Sequence, residues 1–166
     1  MILAALAGCS EQVSEGKDCP AAVKARSLSG FCVPRWVSLK RGEVIARKGP
    51  DKDYPPVWVY HAKGLPVQVV AETEDWRRIC DAERQGVWVH RSMVDGRRLI
   101  VPLGPGPAVL HKAASAESPT SGLLNAHALA ALEACRGDWC KVKADGVSGW
   151  TPGAALWGVA VTPQCH

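Results

Sequence analysis

The second half of this 166-residue chain repeats the first. Pro56 and Pro119 lie sixty-three residues apart, as do the dipeptides Asp75-Trp76 and Asp138-Trp139. Gly86-Val87-Trp88 is answered by Ser148-Gly149-Trp150 at a spacing of sixty-two, and Met93-Val94 by Ala155-Leu156 at the same spacing. Self-similarity at a long, nearly constant shift means two copies of one structural unit. A unit of about sixty residues is close to the smallest that encloses its own core, so two copies gain by packing together.

Copy one reads as a run of short strands. "WVSLK", "EVIARK", "VWVYHAK", "LPVQVVAE", "WRRICD" and "GVWVH" are rich in Val, Ile and Trp, several alternate apolar with polar residues, and turn formers separate them. Sixteen glycines and twelve prolines fall mostly between such runs, which favours many short strands over long helices. Residues 91–95, "RSMVD", fit one helical turn before the exit. In copy two, "LLNAHALAALEA" has the Ala and Leu content of a helix, but the repeat sets it against "YHAKGLPVQVVA". The repeat decides for strand.

The repeat also locates a cross-link. In "EACRGDWCK" a two-residue turn at Gly137-Asp138 pairs Arg136 with Trp139 and Cys135 with Cys140. Opposed cross-strand Cβ atoms lie about 4.5–5.5 Å apart, and a disulfide wants about 3.5–4.5 Å, so the close pairing nearly suits one. Copy one has Glu72 and Arg77 in those positions, an opposite-charge pair across the same hairpin. Closing so tight a loop gains little by chain entropy, which makes the bridge a clip.

The cysteine count bears on compartment. Seven is odd, and an odd number leaves one unpaired. The chain opens "MILAALAGCSEQ", and Leu6-Ala7-Gly8-Cys9 resembles the lipobox of bacterial lipoproteins, whose cysteine is acylated after cleavage. The basic n-region of an export signal is missing and eight residues are too few to engage the export machinery, so the simplest reading places the true start upstream. The alternative is a coincidental Gly-Cys after an apolar leader. Assigning Cys9 to a lipid leaves Cys19, Cys32, Cys80, Cys135, Cys140 and Cys165, an even set suited to an oxidising compartment. Cys19 and Cys32 flank "PAAVKARSLSGF" and can pin the N-terminal segment, which leaves Cys80 with Cys165, but four cysteines allow three connectivities. No cysteine pair has C-x-x-C spacing, so no metal is expected.

At this point the pattern is similar to a known family. Val44, Arg47, Gly49, Pro50, Tyr54 and Pro55 form a V-x-x-R-x-G-P-x-x-x-Y-P arrangement, followed by Trp76 and Ile79 on one strand and Gly86, Trp88 and Val89 on the next. Together they resemble a bacterial SH3-like (SH3b) domain of the duplicated, exported type. The resemblance covers about residues 33–158, strongly in copy one. Copy two lacks the Gly-Pro turn and has His111-Lys112-Ala113 near that place. It implies an all-β fold of two tandem small SH3-like barrels packed together: residues 34–101 and a divergent 102–160. Residues 1–8 are then the remnant of an export signal, 9–33 a linker and 161–166 a tail.

The resemblance implies a binding module and no single activity. Gly49-Pro50 is read as a conformational turn. Trp58, Trp76 and Trp88 divide between core and ligand contact, and Tyr54 with Trp76 can form an aromatic ledge for sugar rings or proline-rich peptides. Arg47, Arg77, Arg78, Arg91, Arg97 and Arg98 can form a patch for carboxylates, or simply a solvated face. Cys80 and His90 are a nucleophile and a base by residue type, but no orienting third residue is evident and Cys80 is read as a structural half-cystine. The expectation is a non-catalytic peptidoglycan binder of the bacterial envelope, with Arg47, Tyr54, Trp76, Arg78, Trp88 and Arg91 as ligand contacts. The alternative is a protein-interaction module in the periplasm. No cofactor is expected, and the membrane is contacted only through a lipid on Cys9. A net charge of +4 is too small to argue for nucleic acid.

Overall fold

The computed structural model describes Cys19, residues 25–83 and residues 85–165. The candidate acylation site Cys9 lies outside the described residues. Strands β1 (Ala25–Arg26) and β2 (Cys32–Val33) form a short antiparallel hairpin beside the Cys19–Cys32 disulfide. Seven strands follow: β3 (Arg35–Leu39), β4 (Val44–Arg47), β5 (Pro56–Tyr60), β6 (Pro66–Glu72), β7 (Trp76–Cys80), β8 (Gly86–His90) and β9 (Val94–Asp95). They hydrogen-bond in the order β5-β4-β8-β7-β6-β3-β9. The next seven are β10 (Leu99–Pro102), β11 (Ala108–His111), β12 (Thr120–Leu124), β13 (Ala130–Arg136), β14 (Trp139–Ala144), β15 (Val147–Pro152) and β16 (Leu156–Trp157). Their order, β12-β11-β15-β14-β13-β10-β16, is the first order advanced by seven strands. The duplication is therefore structural.

Alternation along the strands builds each barrel. Leu39, Val44, Ala46, Val67, Ile79 and Val89 converge on one buried cluster, and Trp58, Tyr60 and Val94 pack against it, so every strand from β3 to β9 contributes. A single-layer sheet whose strands all face one cluster has to curl around it. The second sheet curls in the same way around Ile100, Leu110, Leu124, Cys140, Val142 and Leu156. Even the irregularities repeat: bulges fall at Ala46/Arg47 and Leu110/His111, and again at Val69/Ala71 and Leu132/Ala134.

The registers refine the repeat. Lys48 N donates to Pro55 O at 3.2 Å and Lys112 N to Pro119 O at 2.9 Å, so Pro119 stands where Pro55 stands and not Pro56. The shift is sixty-four over the β4–β5 hairpin, sixty-three over β6–β7 and sixty-two over β8, because copy two drops one residue in each of two connections. The Ala- and Leu-rich stretch ends β12, turns through a left-handed His127 (φ 61°) and begins β13. Its helix propensity loses because β13 bonds to β10 on one side and β14 on the other. A 3-10 turn at Arg91–Met93 follows β8, and one at Gly153–Ala155 follows β15.

The two hairpin tips share a register and differ in chemistry. Cys135 opposes Cys140 across Gly137-Asp138 and the two are disulfide-bonded. Glu72 opposes Arg77, whose Nε lies 2.8 Å from Glu72 Oε1, and Arg35 pairs with the same oxygen. Ser29 Oγ donates to the other carboxylate oxygen at 2.6 Å. The Glu72 side chain has no solvent exposure. Burial works to raise its pKa, but hydrogen bonds from Arg35 and the serines, with the Arg35 charge, overcome that and hold it below the usual carboxylate range.

A third cluster joins the barrels: Trp36 and Cys80 from the first, Val101 and Trp157 from the second, with Ala160 and Cys165 against them. Trp36 Nε1 donates to Ala160 O at 2.6 Å, and Trp157 Nε1 to Pro66 O at 2.8 Å, so each indole is satisfied by the other half. Fully buried Gln68 reaches the C-terminal segment, donating to Thr162 O at 2.9 Å and accepting from Gln164 N at 2.8 Å. The Cys80–Cys165 disulfide closes this edge.

Candidate functional site

On β8, Val87 and Val89 enter the core, so Trp88 and His90 face outward. On β7, Ile79 enters the core and Trp76 and Arg78 face outward; on β4, Val44 and Ala46 enter and Ile45 and Arg47 face outward. Register then arrays these outward residues. Trp76 opposes His90, Arg78 opposes Trp88, and Trp88 opposes Arg47 on its other side. The outer face of β4, β8 and β7 thus collects Arg47, Trp76, Arg78 and Trp88, four residues singled out from sequence.

Only two of the four line the groove on that face. Its volume is about 470 Å³, and Ile45, Arg47, Lys52, Trp76, His90 and Met93 border it with Glu43. Trp76 retains 8% of its surface, its ring edge-on to His90 with centroids 5.6 Å apart. His90 Nδ1 lies 2.7 Å from Ser92 Oγ, which orients the ring. Aromatic and aliphatic floor, two lasting cations, one histidine and one carboxylate make a surface for an amphipathic anionic ligand.

Trp88 is half-buried between Arg47 and Arg78 and does not border the groove. Arg78 lies over Gly86, where an added Cβ would meet its Nη2 at 2.8 Å. Arg91 is tied to Asp75 at 3.0 Å, beyond the groove. Tyr54 is 46% exposed and its ring rests on Gly49: a Cβ there would lie 2.5 Å from ring carbons. Gly49 is thus required for contact with Tyr54. Arg47 Nη1 donates to Tyr54 O at 2.8 Å, which links the Tyr54 turn to the groove, but the Tyr54 ring does not join Trp76 in lining it. The six arginines read as one patch separate: Arg77 turns in to Glu72, Arg97 chelates Asp95, and Arg98 donates to Gly158 O at 3.3 Å.

Ile45, Glu43, Lys52, His90 and Met93 escaped the sequence reading as ligand contacts. Two of them carried a usable signal, since Ile45 and His90 lie two residues from Arg47 and Trp88 on the same strand faces. Cys80 is fully buried and disulfide-bonded, so it offers no thiol. Among the described residues no group of three or more His, Cys, Asp or Glu is arranged to hold a metal, and no helix is long and apolar enough to cross a membrane.

Copy two keeps the tryptophans and changes their neighbours. Trp139 and Trp150 occupy the places of Trp76 and Trp88, but Pro152 replaces His90 and His111 replaces Arg47. Arg136 lies over the Trp150 ring at 5.3 Å.

A family model described as Bacterial SH3 domain matches the chain twice, over residues 40–96 and 104–158. The chain belongs to the bacterial SH3 domain family. The two matched stretches are the two barrels, so this is a tandem bacterial SH3 protein, and bacterial SH3 domains are binding domains, typically non-catalytic. Among solved structures it is similar to NlpC2 from Trichomonas vaginalis, at 12% identity over 75% of this chain and 48% of that one, with a TM-score of 0.34. NlpC1 from Trichomonas vaginalis gives 12% identity over 84% and 50%, with a TM-score of 0.35. The chain spans about half the length of each. No curated protein matches it.

Proposed function

We propose that this tandem bacterial SH3 protein is a non-catalytic binder of peptidoglycan in the cell envelope, using the groove of the first barrel. The supporting observation is Trp76 flanked by Ile45 and Met93 on one hand and by Arg47, Lys52 and His90 on the other. A saccharide lays its apolar ring face on Ile45 and Met93 beside the exposed edge of Trp76, and Arg47 and Lys52 meet the carboxylates of a stem peptide. Three disulfides accord with an exported protein, and a lipid on Cys9 would tether it to the membrane.

The test is co-sedimentation of the oxidised protein with protein-free sacculi, beside the surface variant Arg47→Ala/Lys52→Ala. The expected result is that wild type pellets and the folded variant stays in solution. A folded variant that pellets like wild type removes the groove from the reading. A wild type left in the supernatant removes the wall.

The second reading, a protein partner in the periplasm, is favoured by one feature. Exposed Ile45 opposes exposed Val59 on the edge strand β5, where Val57 is exposed as well. An apolar edge strip of this kind accepts an extended protein segment.

A further inference from the structure

The charge of this protein is lopsided. Residues 34–101 hold thirteen Lys and Arg against nine Asp and Glu, and residues 102–160 hold four of each. The whole excess of four positive charges therefore sits on the first barrel. Much of it surrounds a separate hollow of about 590 Å³, bordered by Lys40, Arg41, Lys63 and Arg97 with Gly42 and Asp95. Asp95 is the one carboxylate of this lining, and Arg97 already neutralises it with Nε 2.9 Å from both of its oxygens. Lys40, Arg41 and Lys63 make no ion pair among the described residues.

Duplication supplies the comparison. Lys40 N donates to Met93 O just as Leu103 N donates to Ala155 O, so Leu103 holds the Lys40 place in the second barrel. Asp95 opposes Ser38 as Trp157 opposes Val101, so the Asp95 place holds the tryptophan that joins the barrels. One copy of this corner is used for assembly, and the other keeps Lys40, Arg41 and Lys63 on the surface without an ion pair among the described residues. Like charges gathered round an open hollow repel each other and are stabilised by a multiply charged anion.

We propose that the hollow of Lys40, Arg41 and Lys63 binds a phosphate group, a site distinct from the peptidoglycan groove. A phosphomonoester or a pyrophosphate fits better than a single carboxylate because its oxygens present about two charges or more to several flexible donors at once. Such a group reaches the envelope either on a lipid headgroup or on a soluble phosphate ester. Lys40 also borders the ledge of His90 and Arg91 that leads to the groove, so both ligands can be held together.

The test titrates the oxidised full chain with pyrophosphate, following backbone amides by NMR, and pellets it with vesicles containing phosphatidic acid, whose headgroup is a phosphomonoester, against phosphatidylcholine vesicles. Lys40→Glu/Lys63→Glu is compared with Lys112→Glu/Lys143→Glu, which makes the same charge change on the second barrel. The expected result is saturable shifts at residues 40–42 and 63, weakened about tenfold or more by the first variant and little by the second. Vesicle binding lost in the same variant assigns a lipid headgroup; pyrophosphate binding without vesicle binding assigns a soluble phosphate ester. Absence of saturable shifts, or equal weakening by both variants, overturns the proposal. Sacculus binding by Lys40→Glu/Lys63→Glu is expected to persist, so the phosphate site and the wall groove fail independently.

Discussion

Trp36 and Trp157 meet edge to face with ring centroids 4.8 Å apart and an interplanar angle of 87°. They come from opposite ends of the duplicated region, and neither belongs to its own barrel's core cluster. Their contact joins the two small barrels. Trp157→Ala is expected to lower the unfolding free energy by about 3–5 kcal/mol, the usual cost of a buried tryptophan. Urea denaturation measures it, and a midpoint equal to wild type would show that the barrels stand alone.

The disulfides should differ in weight. Cys80 and Cys165 are 85 residues apart in sequence and Cys135 and Cys140 are 5 apart. By loop-closure entropy, Cys80→Ser/Cys165→Ser costs about 4.5 kcal/mol and Cys135→Ser/Cys140→Ser about 2 kcal/mol. Thermal or urea unfolding of the two double variants gives the ranking, and the reverse order would place the stabilisation in local geometry instead.

Acid should weaken the first hairpin tip through Glu72. Its folded-state pKa is depressed, so its contribution is full above the ordinary carboxylate pKa and is lost as pH falls through the lower, folded value. Glu72→Gln leaves Arg35 and Arg77 without their counter-charge and is expected to cost about 3 kcal/mol at neutral pH. The difference between wild type and variant should shrink below about pH 4. A difference that stays constant from neutral to acid pH would mean that the Glu72 charge contributes nothing.

Gly49 and Tyr54 should be energetically coupled. Gly49→Ala forces a methyl group into the Tyr54 ring and is expected to cost about 1–3 kcal/mol. The same substitution in a Tyr54→Ala background should cost almost nothing, which a double-mutant cycle reads directly. Additive costs would place the glycine requirement in the backbone.

Much of the architecture is legible in the sequence. The repeat, the short alternating strands and the turn at Gly137-Asp138 depend on contacts between near neighbours and on a period of two, both of which are written in the order of residues. The same period assigns Arg47, Trp76, Arg78 and Trp88 to strand faces. It does not say which outward residues border a hollow, because that depends on how far the sheet curls. Register sets His90 against Trp76, and the curl of the sheet leaves Trp88 outside the groove.

Sequence alone thus determined the number of units, their strand content and the family. Tertiary structure decided what each copy is used for. Trp157 and Asp95 hold one place in the repeat, and only packing shows that one joins the barrels while the other sits in a cationic hollow. Local pattern records the backbone and its alternation, whereas burial and the sum of charges depend on residues brought together from across the chain.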